Sequence, residues 1–249
     1  MRKKEVRDMK IIASDYDGTL NCRGGISEED KAAIARFRRA GHRFGVVTGR
    51  DMALAASILG GQGFCPDFLI SCTGAVIQDA DGRVLYKKRG EVGPFLDEVF
   101  SYAVACGAEQ IVFSDGEEKH LLDLSLAPLV IPPLKAFTQA NIRFGDAEQA
   151  AAFTAYAVKN HNNRISAHRN GRDVDMPPPS TSKVTGIYEY AKRFDAPEIY
   201  TVGDNVNDLS MIREFCGFAV ENAVEQVKAA AAHQCHRIAD MIAYILENE

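Results

Sequence analysis

Four aspartates are placed where a carboxylate cluster can form. Asp15 and Asp17 lie two residues apart in Asp15-Tyr16-Asp17-Gly18-Thr19, directly after the apolar run Lys10-Ile11-Ile12-Ala13-Ser14. Asp204 and Asp208 lie in the loop Gly203-Asp204-Asn205-Val206-Asn207-Asp208, directly after a second apolar run, Ile199-Tyr200-Thr201-Val202. If both runs are strands of one sheet, all four carboxylates gather at the same edge. Such a cluster repels itself and raises its own pKa values unless a cation sits among it, and an all-oxygen donor set suits Mg2+ better than zinc. Magnesium keeps several waters and takes substrate phosphate oxygens beside one or two carboxylates, so the constellation also points to a phosphorylated ligand. A carboxylate that attacks phosphorus needs the cation to lessen charge repulsion and needs hydroxyl, amide and ammonium donors around the transferring group. Thr48 and Lys183 can supply them, each next to a predicted strand-to-helix junction where exposed amides favour an anion.

The elements that must position these residues follow from hydrophobic spacing. Residues 10–14 read as a short buried strand, and Gly18 permits a sharp turn after it. Ser27 is placed to cap a helix with Ile34 and Phe37 on one face, Ile26 as a staple before it and Gly41 as its stop. A strand at 44–47 runs into Thr48-Gly49-Arg50, Asp51 opens a second helix, and 68–71 makes a third strand. Repeated strand-helix-strand units predict parallel pairing in a doubly wound sheet. The pattern then changes: 75–78 and 84–86 flank Asp81-Gly82 as a hairpin. Beyond it, helices at 94–106 and 147–160, strands near 110–114, 119–123 and 141–144, and a hairpin 164–169/172–176 turning at Asn170-Gly171 predict an α+β module. Its exit, Pro177-Pro178-Pro179-Ser180-Thr181-Ser182, suits a hinge or linker. Alternation resumes with a helix at 184–194, the strand at 199–202, a helix from Leu209, a strand at 217–220 and closing helices from Val224. The predicted class is α/β, a doubly wound parallel sheet built from residues 1–86 and 178–249, with an inserted α+β cap of residues 87–177.

Composition bounds the function. The chain has 249 residues, 46% of them hydrophobic, and a formal charge of −5, so it holds enough apolar residues for a core in each of two modest domains. Its apolar runs fall short of the roughly 20 residues that a membrane helix needs, and the charged N-terminal octet lacks the apolar core of a secretory signal. The chain is therefore read as cytoplasmic. Six cysteines without Cys-x-x-Cys spacing read as reduced thiols. With no basic cluster, nucleic acid is not an expected partner. The expected partner is a small phosphorylated metabolite, with no membrane, and the chain itself a monomer or weak homodimer.

Taken in order, Asp15-x-Asp17-Gly18-Thr19, Thr48-Gly49-Arg50, Lys183 and Gly203-Asp204-Asn205-Val206-Asn207-Asp208 resemble the four motifs of the haloacid dehalogenase (HAD) superfamily. The long stretch between Thr48 and Lys183 is similar to that of the Cof-like, type IIB phosphatases, which carry a C2 cap there. The resemblance implies Asp15 as a nucleophile that forms an aspartyl-phosphate and Asp17 as the acid, later the base. It implies Thr48 on a phosphoryl oxygen and Lys183 orienting Asp15. The Mg2+ would be held by Asp15, the backbone carbonyl of Asp17, Asp204 and, directly or through water, Asp208. Gly49, Arg50, Thr73, Gly74 and Asn207 are implied around the substrate. Where Cof-like relatives often carry Asn-Gly-Ala, this chain has Thr73-Gly74-Ala75, and Val184 rather than glycine follows the lysine.

The implied reaction is hydrolysis of the phosphate monoesters of small metabolites, sugar phosphates first. The alternatives are a phosphomannomutase-like transfer on the same motifs and a non-catalytic binding protein on the same fold. Outside the motifs, His233, Cys235 and His236 read as an ordinary helix face and Ala229–Ala232 as a helix interior, while His168 is read as an exposed strand residue ahead of one that reaches down to a substrate. Arg172 and Asp175 could be either exposed strand residues or substrate contacts.

Overall fold

The computed structural model describes residues 9–248 apart from 23, 117, 127 and 196, so the charged N-terminal octet read above lies outside the described residues. In chain order the elements are β1 (Lys10–Ser14), α1 (Glu28–Arg39), β2 (Arg43–Val47), α2 (Met52–Gly61), β3 (Phe68–Ser71), β4 (Val76–Asp79), β5 (Val84–Lys87) and β6 (Gly90–Glu91). There follow α3 (Phe95–Ala105), β7 (Ala108–Ser114), β8 (Lys119–Leu121), β9 (Ala136–Phe137), β10 (Gln139–Phe144), α4 (Ala147–His161), β11 (His168–Asn170) and β12 (Asp173–Met176). The chain closes with α5 (Lys183–Ala191), β13 (Glu198–Gly203), α6 (Leu209–Glu214), β14 (Cys216–Val220), α7 (Glu225–Ala230), β15 (His233–Cys235) and α8 (Ile238–Glu247).

The larger sheet has the order β15-β14-β13-β1-β2-β3-β4-β5. Its first six members pair in parallel, and the hairpin β4/β5 extends one edge in antiparallel fashion. Its central strand shows why the sequence there is an unbroken apolar run: Ile12 packs into one layer with α1 and α8, while Ile11 and Ala13 pack into the other with α5. The strand order reverses at β1, with β2 and β3 on one side and β13 and β14 on the other. A crevice at the carboxyl ends of the strands is expected at such a reversal, and this is where Asp15 and Asp204 emerge.

Local signals set the helix ends. Ser27 accepts from the backbone of Asp30, and Asp51 from that of Leu54, each satisfying an otherwise orphaned amide of the first turn. The second sheet, β11-β12-β10-β7-β8, is wholly antiparallel. Alternation gives it two unlike faces. Ile111, Phe113, Ile142, Val174 and Met176 bury against α3 and α4, where Phe100 and Phe153 complete an apolar core separate from that of the larger sheet.

The structure corrects the C-terminal reading. Helix α7 stops at Ala230, Ala231 is extended, and Ala232 N–H donates to the Gly217 carbonyl (2.9 Å), which starts a parallel ladder with β14. His233, Gln234 and Cys235 thus form an edge strand, not a helix face, and the His233 ring lies 4.8 Å from those of both Phe218 and Tyr244. Aromatic packing at the sheet edge overrides the helical propensity of the alanine run. The predicted hairpin strand at 164–169 is also shorter, because Ser166 is drawn to the linker: its N–H donates to Pro177 (3.0 Å) and its hydroxyl accepts from Thr181 N–H (3.1 Å). Among the described residues no helix is long and apolar enough to cross a membrane.

Candidate active site

Asp15 leaves the end of β1 almost fully buried, at 5% exposure. The backbone of this loop is tied across the reversal point by a bond from Asp15 N–H to the Val202 carbonyl (3.0 Å). Lys183, the first residue of α5, is buried to 2% and reaches both Asp15 Oδ1 (2.5 Å) and Asp208 Oδ1 (2.6 Å). The other oxygen of Asp208 accepts from the N–H groups of Asp204 (3.1 Å) and Asn205 (3.2 Å), so this side chain is fully committed within the protein. Asp204 Oδ1 accepts from Thr19 Oγ1 (2.9 Å).

One ammonium among three carboxylates leaves this corner negative. Asp15, Asp204 and Asp208 each offer an oxygen within 4.8 Å of the others. Burial first, and then the Asp208 charge, push the Asp15 carboxyl from its ordinary 3.8 up to about 8 despite Lys183. Burial likewise raises Asp204. Burial opposes the charge on Lys183, but Asp15 and Asp208 outweigh it and raise the ammonium above its usual range. An excess of buried negative charge on hard oxygen donors is what a magnesium-sized divalent cation relieves, so the residues fit the implied Mg2+.

Asp17 stands apart from this cluster. Its exposed carboxylate turns to Arg50 and takes a two-point pair from Nε (2.7 Å) and the terminal nitrogen (2.8 Å). Thr48 is buried at the end of β2, with its hydroxyl accepting Arg50 N–H (3.1 Å). The next loop supports it: Thr73 N–H donates to the Thr48 carbonyl (3.1 Å) and Cys72 N–H to that of Arg50 (2.8 Å). Cys72 and Thr73 hold φ values of 50° and 54°, a left-handed conformation that costs non-glycine residues energy and persists only where surrounding contacts enforce it. Gly74 (φ 107°) packs so closely under α5 that a Cβ there would lie 2.1 Å from the Ser182 carbonyl. Asn207 also lines the cavity, and its Oδ1 is buried with no hydrogen-bond partner among the described residues.

Asp15, Asp17, Thr48, Gly49, Arg50, Asp204 and Asn207 line one wall of a cavity of about 400 Å3, with Lys183, Asp208, Thr73 and Gly74 behind it; the second sheet forms the other wall. Its polar face contributes Gln110 and Ser114 from β7, Asn141 and Arg143 from β10, and Asp173 and Asp175 from β12. Register explains the grouping, since Asn141 stands opposite Asp175, and Arg143 opposite Asp173. Among the described residues every guanidinium and ammonium of the cavity wall is already paired: Arg50 with Asp17, Lys119 with Asp51 (2.5 Å) and Arg143 with Asp173 (2.7 Å). Among the described residues four polar contacts bridge the two walls. They are Gln139 Nε2 to the Gly49 carbonyl (2.7 Å), Thr73 Oγ1 to Asp175 Oδ2 (3.2 Å), Asn205 Nδ2 to Asn170 Oδ1 (3.2 Å) and the Lys119–Asp51 pair.

Sequence reasoning left Asp175 undecided and did not single out Gln139, Asn141, Asn170 or Lys119. The only signal was the alternation Asp173-x-Asp175, which a solvated strand face shares. Burial raises the Asp175 carboxyl to about 6 against the hydrogen bonds from Thr73 and Asn141. His168, read as an exposed strand residue, is half-buried, with Nε2 2.7 Å from the Thr181 carbonyl of the linker. Arg172 faces Glu109 at the surface (3.4 Å).

Comparison with known proteins agrees with this geometry. The chain is 28% identical over 248 residues to YkrA of Bacillus subtilis (strain 168), whose name describes a candidate phosphatase, with 90% of this chain and 91% of that one covered. Its fold superposes on a haloacid dehalogenase-like hydrolase from B. subtilis with a TM-score of 0.81, at 21% identity, covering 95% of this chain and all of that one. It also superposes on the HAD subclass IIB sugar phosphatase BT4131 with a TM-score of 0.72, at 20% identity, covering 96% and 98% of the two chains. At such identities the structural likeness is one of fold. The family model for haloacid dehalogenase-like hydrolases matches residues 12–117 and 129–244, which span both sheets and all four motifs. The chain belongs to the haloacid dehalogenase-like hydrolase family.

Proposed function

We propose that the protein is a Mg2+-dependent phosphatase that hydrolyses phosphate monoesters of small metabolites, foremost sugar phosphates, through an aspartyl-phosphate on Asp15. Residues 1–86 and 178–249 are its catalytic core and 87–177 its cap. The observation that carries this reading is the buried Asp15, held by Lys183 beside Asp204 and Asp208 at the floor of a cavity with a polar roof. The subclass IIB sugar phosphatase among the structural neighbours and the named candidate phosphatase among the relatives support the class.

Asp15, Asp204 and the backbone carbonyl of Asp17 would hold the metal, which supplies charge neutralisation for the phosphoryl group and the attacking carboxylate. Asp208, with both oxygens committed, serves by fixing Lys183 and the 204–205 amides. In the first step a carboxylate oxygen of Asp15 attacks phosphorus, the bond to the ester oxygen breaks, and Asp17 hands its proton to that oxygen as the alcohol leaves. In the second, Asp17 takes a proton from water, the water oxygen bonds phosphorus, and the acyl-phosphate bond breaks to return Asp15 and release phosphate. Asp17 must exchange its Arg50 partner for the leaving-group oxygen to do this, which makes Arg50 the holder of the acid between turnovers. Thr48 donates to a phosphoryl oxygen, and Asn207 brings an unspent polar group to the same space.

Among the described residues the cations of the cavity wall are all matched by carboxylates, and the roof otherwise offers mainly amides and a hydroxyl. That favours an uncharged polyol as leaving group over one with a second anion. Phosphate release from sugar phosphates, phosphoglycolate, nucleotides and p-nitrophenyl phosphate, with Mg2+ and with EDTA, tests the proposal. Release that needs Mg2+ and disappears in Asp15→Asn is expected. Isomerisation of a sugar phosphate without phosphate release would replace it by the mutase reading, and binding without turnover by the binding-protein reading.

A further inference from the structure

Asp175 belongs to the cap, yet one oxygen of its carboxylate is spent on the core. Oδ2 accepts from Thr73 Oγ1 (3.2 Å), and Oδ1 accepts from Asn141 Nδ2 (2.5 Å) and Gln139 Nε2 (3.3 Å). The same Gln139 amide donates to the Gly49 carbonyl (2.7 Å). Asp175 Oδ2 also rests against Gly49 so closely that a Cβ on that residue would lie 2.1 Å away. One cap carboxylate therefore grips the loop after β2 and the loop after β3 together.

The grip continues into the reacting groups. Thr73 and Cys72 hold the carbonyls of Thr48 and Arg50 by their N–H groups (3.1 and 2.8 Å), and Arg50 holds Asp17 by two bonds (2.7 and 2.8 Å). The positive φ values of Cys72 and Thr73 mark this stretch as held against its own preference.

Resting on the phosphatase reading, we propose that Asp175 is a positioning residue: by seating on Gly49 and Thr73 it sets the loop that carries Thr48 and Arg50, so that the phosphoryl pocket is complete only with the cap docked. It acts through Thr73 and Gly49 and does not touch the leaving group. A contact of that kind is established only by coupling between variants.

The test is a double-variant cycle of Asp175→Asn and Thr73→Val in the full chain with Mg2+, read as kcat and KM for p-nitrophenyl phosphate and for glucose 6-phosphate. The expected result is a loss of about 10-fold in kcat/KM for each single variant, carried by kcat, equal on the two esters, and no larger in the double variant. Amide hydrogen exchange, which does not depend on turnover, should quicken at 48–50 and 72–74 in Asp175→Asn while thermal melting shows the fold intact. A loss confined to glucose 6-phosphate would overturn the proposal by making Asp175 a leaving-group contact, and losses that multiply would overturn it by showing no coupling. If the wild type releases phosphate from no ester, the phosphatase reading fails first; unchanged exchange at 48–50 and 72–74 would then overturn the positioning role by itself.

Discussion

The two walls of the cavity are made in different ways. The core wall consists of loops at the ends of parallel strands, whose side chains are bound to one another and to backbone: Lys183 to Asp15 and Asp208, Thr19 to Asp204, Asp208 to two amides. The cap wall is the open face of an antiparallel sheet, with Gln110, Asn141, Arg143 and Asp173 presented from its strands rather than from loops. Geometry at the first wall is over-determined, as chemistry at phosphorus requires. At the second, single side chains can change without disturbing a ladder, as the proposed selection among leaving groups would require.

Substitutions break this contrast to different degrees. The largest effect is expected from Asp15→Asn, a loss of at least about 10^4-fold in kcat with the fold retained, checked by phosphate release beside a melting curve. Next comes Lys183→Met, which leaves Asp15 and Asp208 buried together without their cation. Removing one partner of a buried pair costs about 3–5 kcal/mol, so both activity and stability should fall, and denaturant unfolding separates the two. On the cap wall, Asn141→Ala should cost about 10-fold in kcat/KM for the preferred ester. If its effect on p-nitrophenyl phosphate were as large, the division between walls would fail at that residue.

A smaller effect concerns pH in metal-free protein. Burial raises Asp15 from 3.8 to about 8, raises Asp175 to about 6 and raises Asp204. Each then binds its proton more tightly folded than unfolded, so stability falls as pH rises from about 4 toward 8. Magnesium favours the ionised carboxylates of the core wall, and the rise in melting temperature on adding it should grow with pH across that window. Melting curves from pH 5 to 8 with Mg2+ and with EDTA check this, and a constant gap would argue that Asp15 and Asp204 are not titrating against the metal.

The same contrast explains what could be read in advance. That Asp15, Asp17, Thr48, Lys183, Asp204 and Asp208 would meet at one sheet edge was legible because a loop after a buried strand breaks pattern sharply: an apolar run ends in acids, glycine and hydroxyls. The parallel order followed from alternation, and the caps Ser27 and Asp51 from their place before helical runs. The cap wall was not legible, because residues alternating on a sheet look the same whether they face solvent or a cavity. Asp175 needed the register with Asn141 and the approach to Gly49, both of which join distant parts of the chain. His233–Cys235 was misread because the pairing that makes it a strand lies with β14.

The central place of β1 has a consequence for how the molecule comes into being. Its partner on one side, β2, follows at once, but its partner on the other is β13, and Lys10 pairs with Glu198 across 188 residues. At ribosomal rates of 5–20 residues per second the growing chain carries that open strand edge for roughly 10–40 s. The second sheet, whose five strands and two packed helices all lie between 95 and 176, is complete before β13 has been made. The nascent protein thus passes through a stage with a finished roof over an unfinished floor, and its exposed β1 edge is the segment most in need of shelter from other chains.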